Sequence, residues 1–193
     1  MIRATFRTRP TRILDFDIET VAAGFADPDW VPQKVTCVAW SWVGSDKVES
    51  RVCGPAGIFG KPAKRAQMLE PFLRELEKAD VVTGHNIVRF DLPVLNAEVM
   101  RLRLPVLSSV RVQDTMRLAR SKGFKKGQDV LGRLFRLEEQ KLSLNWQDWQ
   151  DAYDETGWPT IRERAESDVL MHKELREELL MLGYLKPVRV WSP

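Results

Sequence analysis

Residues 12–20, RILDFDIET, decide the fold. In an extended chain successive side chains point to opposite sides. Leu14, Phe16 and Ile18 then share one side, and Asp15, Asp17 and Glu19 share the other. The pattern predicts a strand with an apolar face and an acidic face. Asp17 and Glu19 sit two residues apart, so their carboxylates project the same way, about 6–7 Å from each other along the strand. That spacing lets them share one cation or a pair of cations. Asp15 points the same way, and the segment alone leaves open which two acids are ligands, or whether all three are a solvated face.

Outward from this strand, residues 35–43 (VTCVAWSWV) and 47–53 (KVESRVC) read as two more strands joined by Gly-Ser-Asp. Trp40 and Trp42 share one face there and are expected in the core. Residues 64–79 have helical spacing at Met68, Phe72, Leu73 and Leu76, and a short strand follows at 80–83. A helix is predicted over 91–103 with Pro93 in its first turn. A short strand at 110–112 and short helices at 116–120 and 129–135 come next. Trp146, Trp149 and Trp158 lie in loop or short helix, and 161–182 forms a long last helix. Three opening strands followed by alternating helix and strand suit an α/β domain with a five-stranded mixed sheet and helices on both faces. One domain is expected over 1–193. Residues 1–11 form its basic arm, because Met1–Arg12 carries four arginines and no acid, and lacks the apolar run of a secretory signal.

The chain has 193 residues, 44% hydrophobic and 30% charged, the balance of a soluble globular protein. No stretch is apolar for long enough to cross a membrane, so no membrane partner is expected. Cys37 and Cys53 lie in strand-like sequence and read as buried thiols of a reducing cytoplasm. Two cysteines and two histidines do not make a usual zinc site, so a bound metal would have oxygen ligands, which selects magnesium or manganese. Net charge is +3, but the cations are uneven. From Arg101 to Arg136, ten lysines and arginines meet only Asp114 and Asp129. Such a patch suits a phosphate backbone, and it suits a solvated surface equally. Within it, Gly123–Gly127 (GFKKG) reads as a basic loop that either holds single-stranded backbone or is simply a connector.

Two further acids stand out. Asp91 closes the stretch GHNIVRF and precedes Leu92-Pro93, where a helix N-cap alone would explain it. Asp168 is harder to explain. In the last helix positions 161, 165, 168, 172, 175, 179 and 182 make one stripe. Five hold Ile161, Ala165, Leu175, Leu179 and Leu182; the other two hold Asp168 and His172. A carboxylate in a buried stripe is costly unless paired or coordinated. Arg164, one turn earlier, is a possible partner, so an ion pair is the rival of a metal ligand here. Several carboxylates gathered in one cleft repel one another and call for a compensating cation. A pair of divalent ions compensates them and also serves phosphodiester hydrolysis.

These motifs together resemble the DEDD-type 3′→5′ exonucleases of the ribonuclease-H-like superfamily, which include polymerase proofreading domains and RNA-trimming enzymes. The first motif is Asp17-Ile18-Glu19-Thr20; the second is Gly84-His85-Asn86 with Phe90-Asp91; the third is the final helix with Asp168. Asp114-Thr115 after the fifth strand also fits. The likeness spans roughly residues 12–180. It implies that Asp17, Glu19, Asp91 and Asp168 are catalytic and bind two Mg²⁺ or Mn²⁺ ions, with Asp15 excluded. It implies that Thr20, His85, Asn86 and Phe90 line the pocket for the terminal nucleotide, although Phe90 reads equally well as a core aromatic. The implied reaction removes nucleoside monophosphates from the 3′ end of single-stranded DNA or RNA, beside a polymerase or replication complex.

One departure stands out. The family usually has tyrosine four residues before the last aspartate, or histidine five before it. Arg164 and Glu163 occupy those positions here. Arginine stays protonated and is no general base, though it can hold a phosphate or the water. Glu163 points away from the stripe, and His172 reads as a packed or supporting histidine. General acid–base help is typically worth about 10²–10⁴-fold. The departure therefore admits a second reading, a slow or inactive module of the same fold that grips nucleic acid. An endonuclease of the same superfamily, and an unrelated protein with coincidental acids, are the remaining alternatives.

Overall fold

The computed structural model describes residues 9–22, 33–54, 61–117, 126–153 and 155–193. Residues 1–8 of the expected basic arm, and Gly123–Lys125 of the expected basic loop, lie outside the described residues.

The strands are β1 (Ile13–Ala22), β2 (Gln33–Trp42), β3 (Glu49–Val52), β4 (Val81–Gly84), β5 (Val110–Asp114) and β6 (Arg189–Trp191). The helices are α1 (Pro62–Lys78), α2 (Asp91–Arg101), α3 (Gln128–Phe135), α4 (Trp146–Asp151) and α5 (Trp158–Met181). The sheet order is β3-β2-β1-β4-β5-β6. β1 pairs antiparallel with β2 and parallel with β4, so it is central. The sheet is mixed, as expected, but has six strands rather than five. The sixth is the three-residue β6, antiparallel to β5. So short a run beyond the last helix has too little alternation to read as a strand.

The alternation in β1 separates two layers. Leu14, Phe16 and Ile18 pack with Met68, Leu69 and Phe72 of α1 and Leu92, Leu95 and Val99 of α2. On the other face Val21, Cys37 and Ala39 meet Ile161, Ala165 and Val169 of α5. Helices therefore cover both faces. Trp40 is buried against Phe72, with ring centroids 5.7 Å apart. Trp42 is only half-buried; Arg12 lies over its ring and its indole N–H donates to Glu75.

The stripe of α5 is buried at Ile161, Ala165, Asp168, His172, Leu175 and Leu179, and ends at the exposed Leu182. The helix starts three residues earlier than predicted, because Trp158 and Pro159 take its first two positions, where proline's missing N–H costs nothing. The predicted helix at 116–120 is a single 3₁₀ turn at Thr115–Arg117 over the described residues. α4 is capped by Asn145, whose side chain accepts from Gln147 and Asp148 N–H while Asp148 reaches back. No described helix is long and apolar enough to cross a membrane. Cys37 and Cys53 are both buried and free.

Between α1 and α2 lies a charged cluster that the sequence did not announce. Arg65 and Glu98 are both fully buried, and Glu98 Oε1 accepts from Arg65 Nε at 2.8 Å. Arg101 adds a second guanidinium to the same oxygen at 2.7 Å. Arg101, counted among the cations of the expected basic patch, thus serves the core.

Candidate metal-binding active site

β1 presents Asp15, Asp17 and Glu19 toward α5, and each meets a different environment. Asp17, Glu19 and Asp168 offer oxygens that all lie within 4.8 Å of one another. They stand in a cleft of about 310 Å³ that Asp91, His85, Asn86 and Phe90 also line. The four sequence-predicted acids therefore converge from three elements: β1, the start of α2, and α5.

Asp91 does not cap α2. Phe90 occupies the N-cap position, and Asp91 is the first helical residue. Its Oδ1 instead accepts the Ile18 backbone N–H at 3.2 Å. The carboxylate thus ties α2 to the strand between the two acids of the first motif.

The turn that delivers Asp91 is closely constrained. A Cβ at Gly84 would stand 2.3 Å from Ile87 Cγ2 and 2.8 Å from the Phe16 carbonyl, so only glycine fits. Asn86 has φ of 69°, a left-handed conformation that asparagine tolerates. Asp114, at the end of β5, accepts from Asn86 N at 2.9 Å, Val88 N at 3.2 Å and Met116 N at 3.0 Å. Its carboxylate therefore holds the turn in place. Phe90 is 36% exposed and lines the cleft rather than the core. Thr20 lies one residue past a bulge in β1, is not among the cleft's lining, and donates to Gln33 at 2.7 Å.

Two cations enter among the acids. Arg164 Nε is 3.1 Å from Glu19 Oε1 and 3.1 Å from Asp168 Oδ2, and its guanidinium also donates to the Leu142 carbonyl. The expected Arg164–Asp168 pair thus exists, and Glu19 shares it. Lys141 Nζ is 2.8 Å from Asp168 Oδ2. The sequence reading missed Lys141: it is a lone lysine in QKLSL, and only the folding of that segment over the cleft reveals it. Asp168 Oδ1 is buried and has no hydrogen-bond partner among the described residues. The cleft adjoins a second hollow of about 340 Å³ that shares Lys141 and Arg164 and adds Arg133 and Trp149.

The electrostatics follow from burial and crowding. Burial, then the charges of Asp91, Glu19 and Asp168, push Asp17 well above the usual carboxylate range. Burial raises Glu19 to about 7 against the pull of Arg164. Burial also raises Asp91 to about 7, although the Ile18 N–H favours its charged form. Crowded acids that cannot all ionise in a low dielectric are what a divalent cation relieves. All-oxygen donors, with one buried oxygen left idle, fit magnesium or manganese.

Asp15 is separate from this group. Its Oδ2 is 2.6 Å from His172 Nδ1, and His172 Nε2 is 3.1 Å from Thr115 Oγ1. Thr115 Oγ1 is in turn 3.0 Å from His85 Nδ1, and His85 Nε2 donates to the Lys126 carbonyl at 2.8 Å. Burial, then repulsion from His172, lowers His85 to about 4, so its ring is neutral. With Nε2 the donor, Nδ1 is left as an acceptor facing the Thr115 hydroxyl, which also donates to the Gly84 carbonyl at 3.3 Å. His172 therefore supports the cleft wall through Thr115 and His85 and does not enter the cleft.

Residues 3–145 match the family model of the exonuclease domain of DNA polymerase family B. The chain belongs to that family, whose members are proofreading-type 3′→5′ exonuclease domains. The match holds Asp17, Glu19 and Asp91 and ends before Asp168, so the last acid rests on the placement of α5. The DNA polymerase delta catalytic subunit of Oryza sativa subsp. japonica is 33% identical over 142 residues, 63% of this chain and 13% of the relative. The subunit of the same name in Glycine max is 30% identical over 142 residues, again 63% of this chain and 13% of the relative. This family B exonuclease domain thus spans about an eighth of the length of the polymerases it matches. The family B DNA polymerase of Pyrobaculum calidifontis shares its fold at a TM-score of 0.59 and 20% identity, over 89% of this chain and 25% of that one.

Proposed function

We propose that this chain is a divalent-metal-dependent 3′→5′ exonuclease that hydrolyses single nucleotides from the 3′ end of single-stranded DNA or RNA. Family membership supports the activity class. The observation that carries the reading is the meeting of four carboxylates from three elements in one cleft. Asp17, Glu19, Asp91 and Asp168 would hold two Mg²⁺ or Mn²⁺ ions. Such ions activate an attacking water and stabilise the charge on the leaving oxygen. The chain's own groups position the substrate. The exposed ring of Phe90 offers a stacking surface for a terminal base. His85 and Asn86, fixed by Thr115 and Asp114, form the wall beside it. Arg164 and Lys141 supply positive charge for the phosphates, in a low-dielectric cleft where such charge acts strongly. We read residues 1–193 as one exonuclease-like domain that works in a reducing cytoplasm beside a polymerase or replication complex.

A second reading has its own observation. Because Arg164 and Lys141 already hold Glu19 and Asp168, the cleft can grip a nucleic-acid end without cutting it.

The test uses 5′-labelled single-stranded DNA and RNA of the same sequence, incubated in Mn²⁺ with the parent and with Asp17→Ala. A ladder descending by single nucleotides from the parent, absent with Asp17→Ala, is expected. Equal activity of the two proteins sinks the assignment. Mid-length fragments appearing first point to an endonuclease. Tight binding with no cleavage supports the gripping module.

A further inference from the structure

Arg164 is anchored on three sides: Glu19 Oε1 and Asp168 Oδ2 lie 3.1 Å from its Nε, and the Leu142 carbonyl accepts from the guanidinium. Its side chain is 11% exposed. A guanidinium stays charged, and its fork suits two oxygens at once. Lys141 differs: 30% exposed, on a flexible stem, it pairs with Asp168 alone among the described residues. Two of the carboxylate oxygens that a divalent ion would use are therefore taken by one fixed cation. Asp168 makes the conflict plain, since Oδ2 receives both cations while Oδ1 is buried with no partner. A divalent ion seated among Asp17, Glu19 and Asp168 would face the guanidinium at close range in a low dielectric, where like charges repel strongly.

We propose that Arg164 is an internal counterion of the cleft: it holds Glu19 and Asp168 when no divalent ion is bound, releases them when one binds, and then takes a phosphate oxygen of the nucleic acid. The inference rests on the metal-binding reading above. Its consequence is a coupling. Metal must break the Arg164 contacts to bind, so its affinity is lower than the acids alone would give. A phosphate backbone offers the displaced guanidinium a new anion and so favours the metal-bound arrangement. Coupling of this kind is reciprocal: nucleic acid tightens metal, and metal tightens nucleic acid.

The experiment titrates Mn²⁺ by calorimetry, with free Mn²⁺ followed by its paramagnetic resonance. The proteins are the full 193-residue chain and its Arg164→Met, Arg164→Lys and Asp17→Asn forms, each first shown folded by circular dichroism. Without nucleic acid, Arg164→Met should bind Mn²⁺ about tenfold or more tightly than the parent. Arg164→Lys, which keeps the charge, should stay near the parent, and Asp17→Asn should bind more weakly. With a phosphorothioate single-stranded DNA that resists hydrolysis, Mn²⁺ affinity should rise in the parent and hardly change in Arg164→Met. Equal or weaker Mn²⁺ binding by Arg164→Met overturns the counterion role and leaves the metal-binding reading standing. No Mn²⁺ binding by the parent and Arg164→Met alike overturns both.

Discussion

Two buried charged clusters, one on each face of the sheet, have opposite surpluses. Between α1 and α2 a single carboxylate, Glu98, meets two guanidiniums, Arg65 and Arg101. Where β1, the start of α2 and α5 meet, four carboxylates face one guanidinium and one ammonium. In the first cluster both Glu98 oxygens accept hydrogen bonds. In the second, Asp168 Oδ1 accepts none from the described residues. A charge that serves packing is satisfied by its neighbours, because an unpaired buried charge costs several kcal/mol. A surplus of one sign together with an idle acceptor marks a place that a ligand completes. Burial alone does not distinguish the two clusters; the balance of charge and hydrogen bonds does.

The largest expected effect breaks the first cluster. Glu98→Ala leaves Arg65 fully buried with no anion, which costs about 3–5 kcal/mol. In a chain of this length that lowers the thermal midpoint by roughly 6–20 °C. Calorimetry checks it. A fall of only a degree or two would show that water or the Gly54 carbonyl satisfies Arg65, and that the two clusters do not differ in this way.

The second effect is a dependence on pH that belongs to the acidic cleft. Glu19 rises from 4.5, and Asp91 from 3.8, to about 7 in the fold. A carboxyl whose folded value lies above its unfolded value takes up protons on folding. Its stabilising contribution is fully present below the unfolded value and is lost as pH rises through the folded one. Metal-free protein should therefore lose a few kcal/mol between about pH 4.5 and 7 from these two groups, and little more above that. A divalent ion replaces the protons, so saturating Mg²⁺ should flatten the loss. Thermal midpoints across that range, in chelator and in Mg²⁺, decide it. Parallel curves in the two conditions would show that the cleft does not use the ion for its charge.

The two clusters were not equally legible in the sequence. The acids of the cleft each break a local pattern: Asp17 and Glu19 sit on a strand face, and Asp168 interrupts the apolar stripe of α5. Periodicity reveals such breaks, and the sheet and both helical layers follow from the same periodicity. Arg65 breaks nothing. It lies beside Lys64 at the start of α1 and reads as one more surface cation. Its burial depends on Glu98, 33 residues away. Lys141 and the Asp15–His172 contact were hidden for the same reason, since the latter joins residues 157 apart. The role of Asp91 was half visible: its position beside a helix start was right, but its partner is the Ile18 N–H of another element. Local chemistry writes itself into spacing; partners brought together by the fold do not.

The smallest effect has the opposite sign from the first. Asp17 is crowded by burial and by Asp91, Glu19 and Asp168, so its charged form is disfavoured in the metal-free fold. Asp17→Asn removes that charge and keeps the shape. The variant should therefore be more stable than the parent near neutral pH in chelator, read as a higher midpoint of urea unfolding with an unchanged slope. In saturating Mg²⁺ the order should reverse, because the parent gains a ligand that the variant binds poorly. A variant less stable than the parent in both conditions would mean that Asp17 is held by the fold as Glu98 is. The cleft would then be a structural charge cluster rather than a place for an ion.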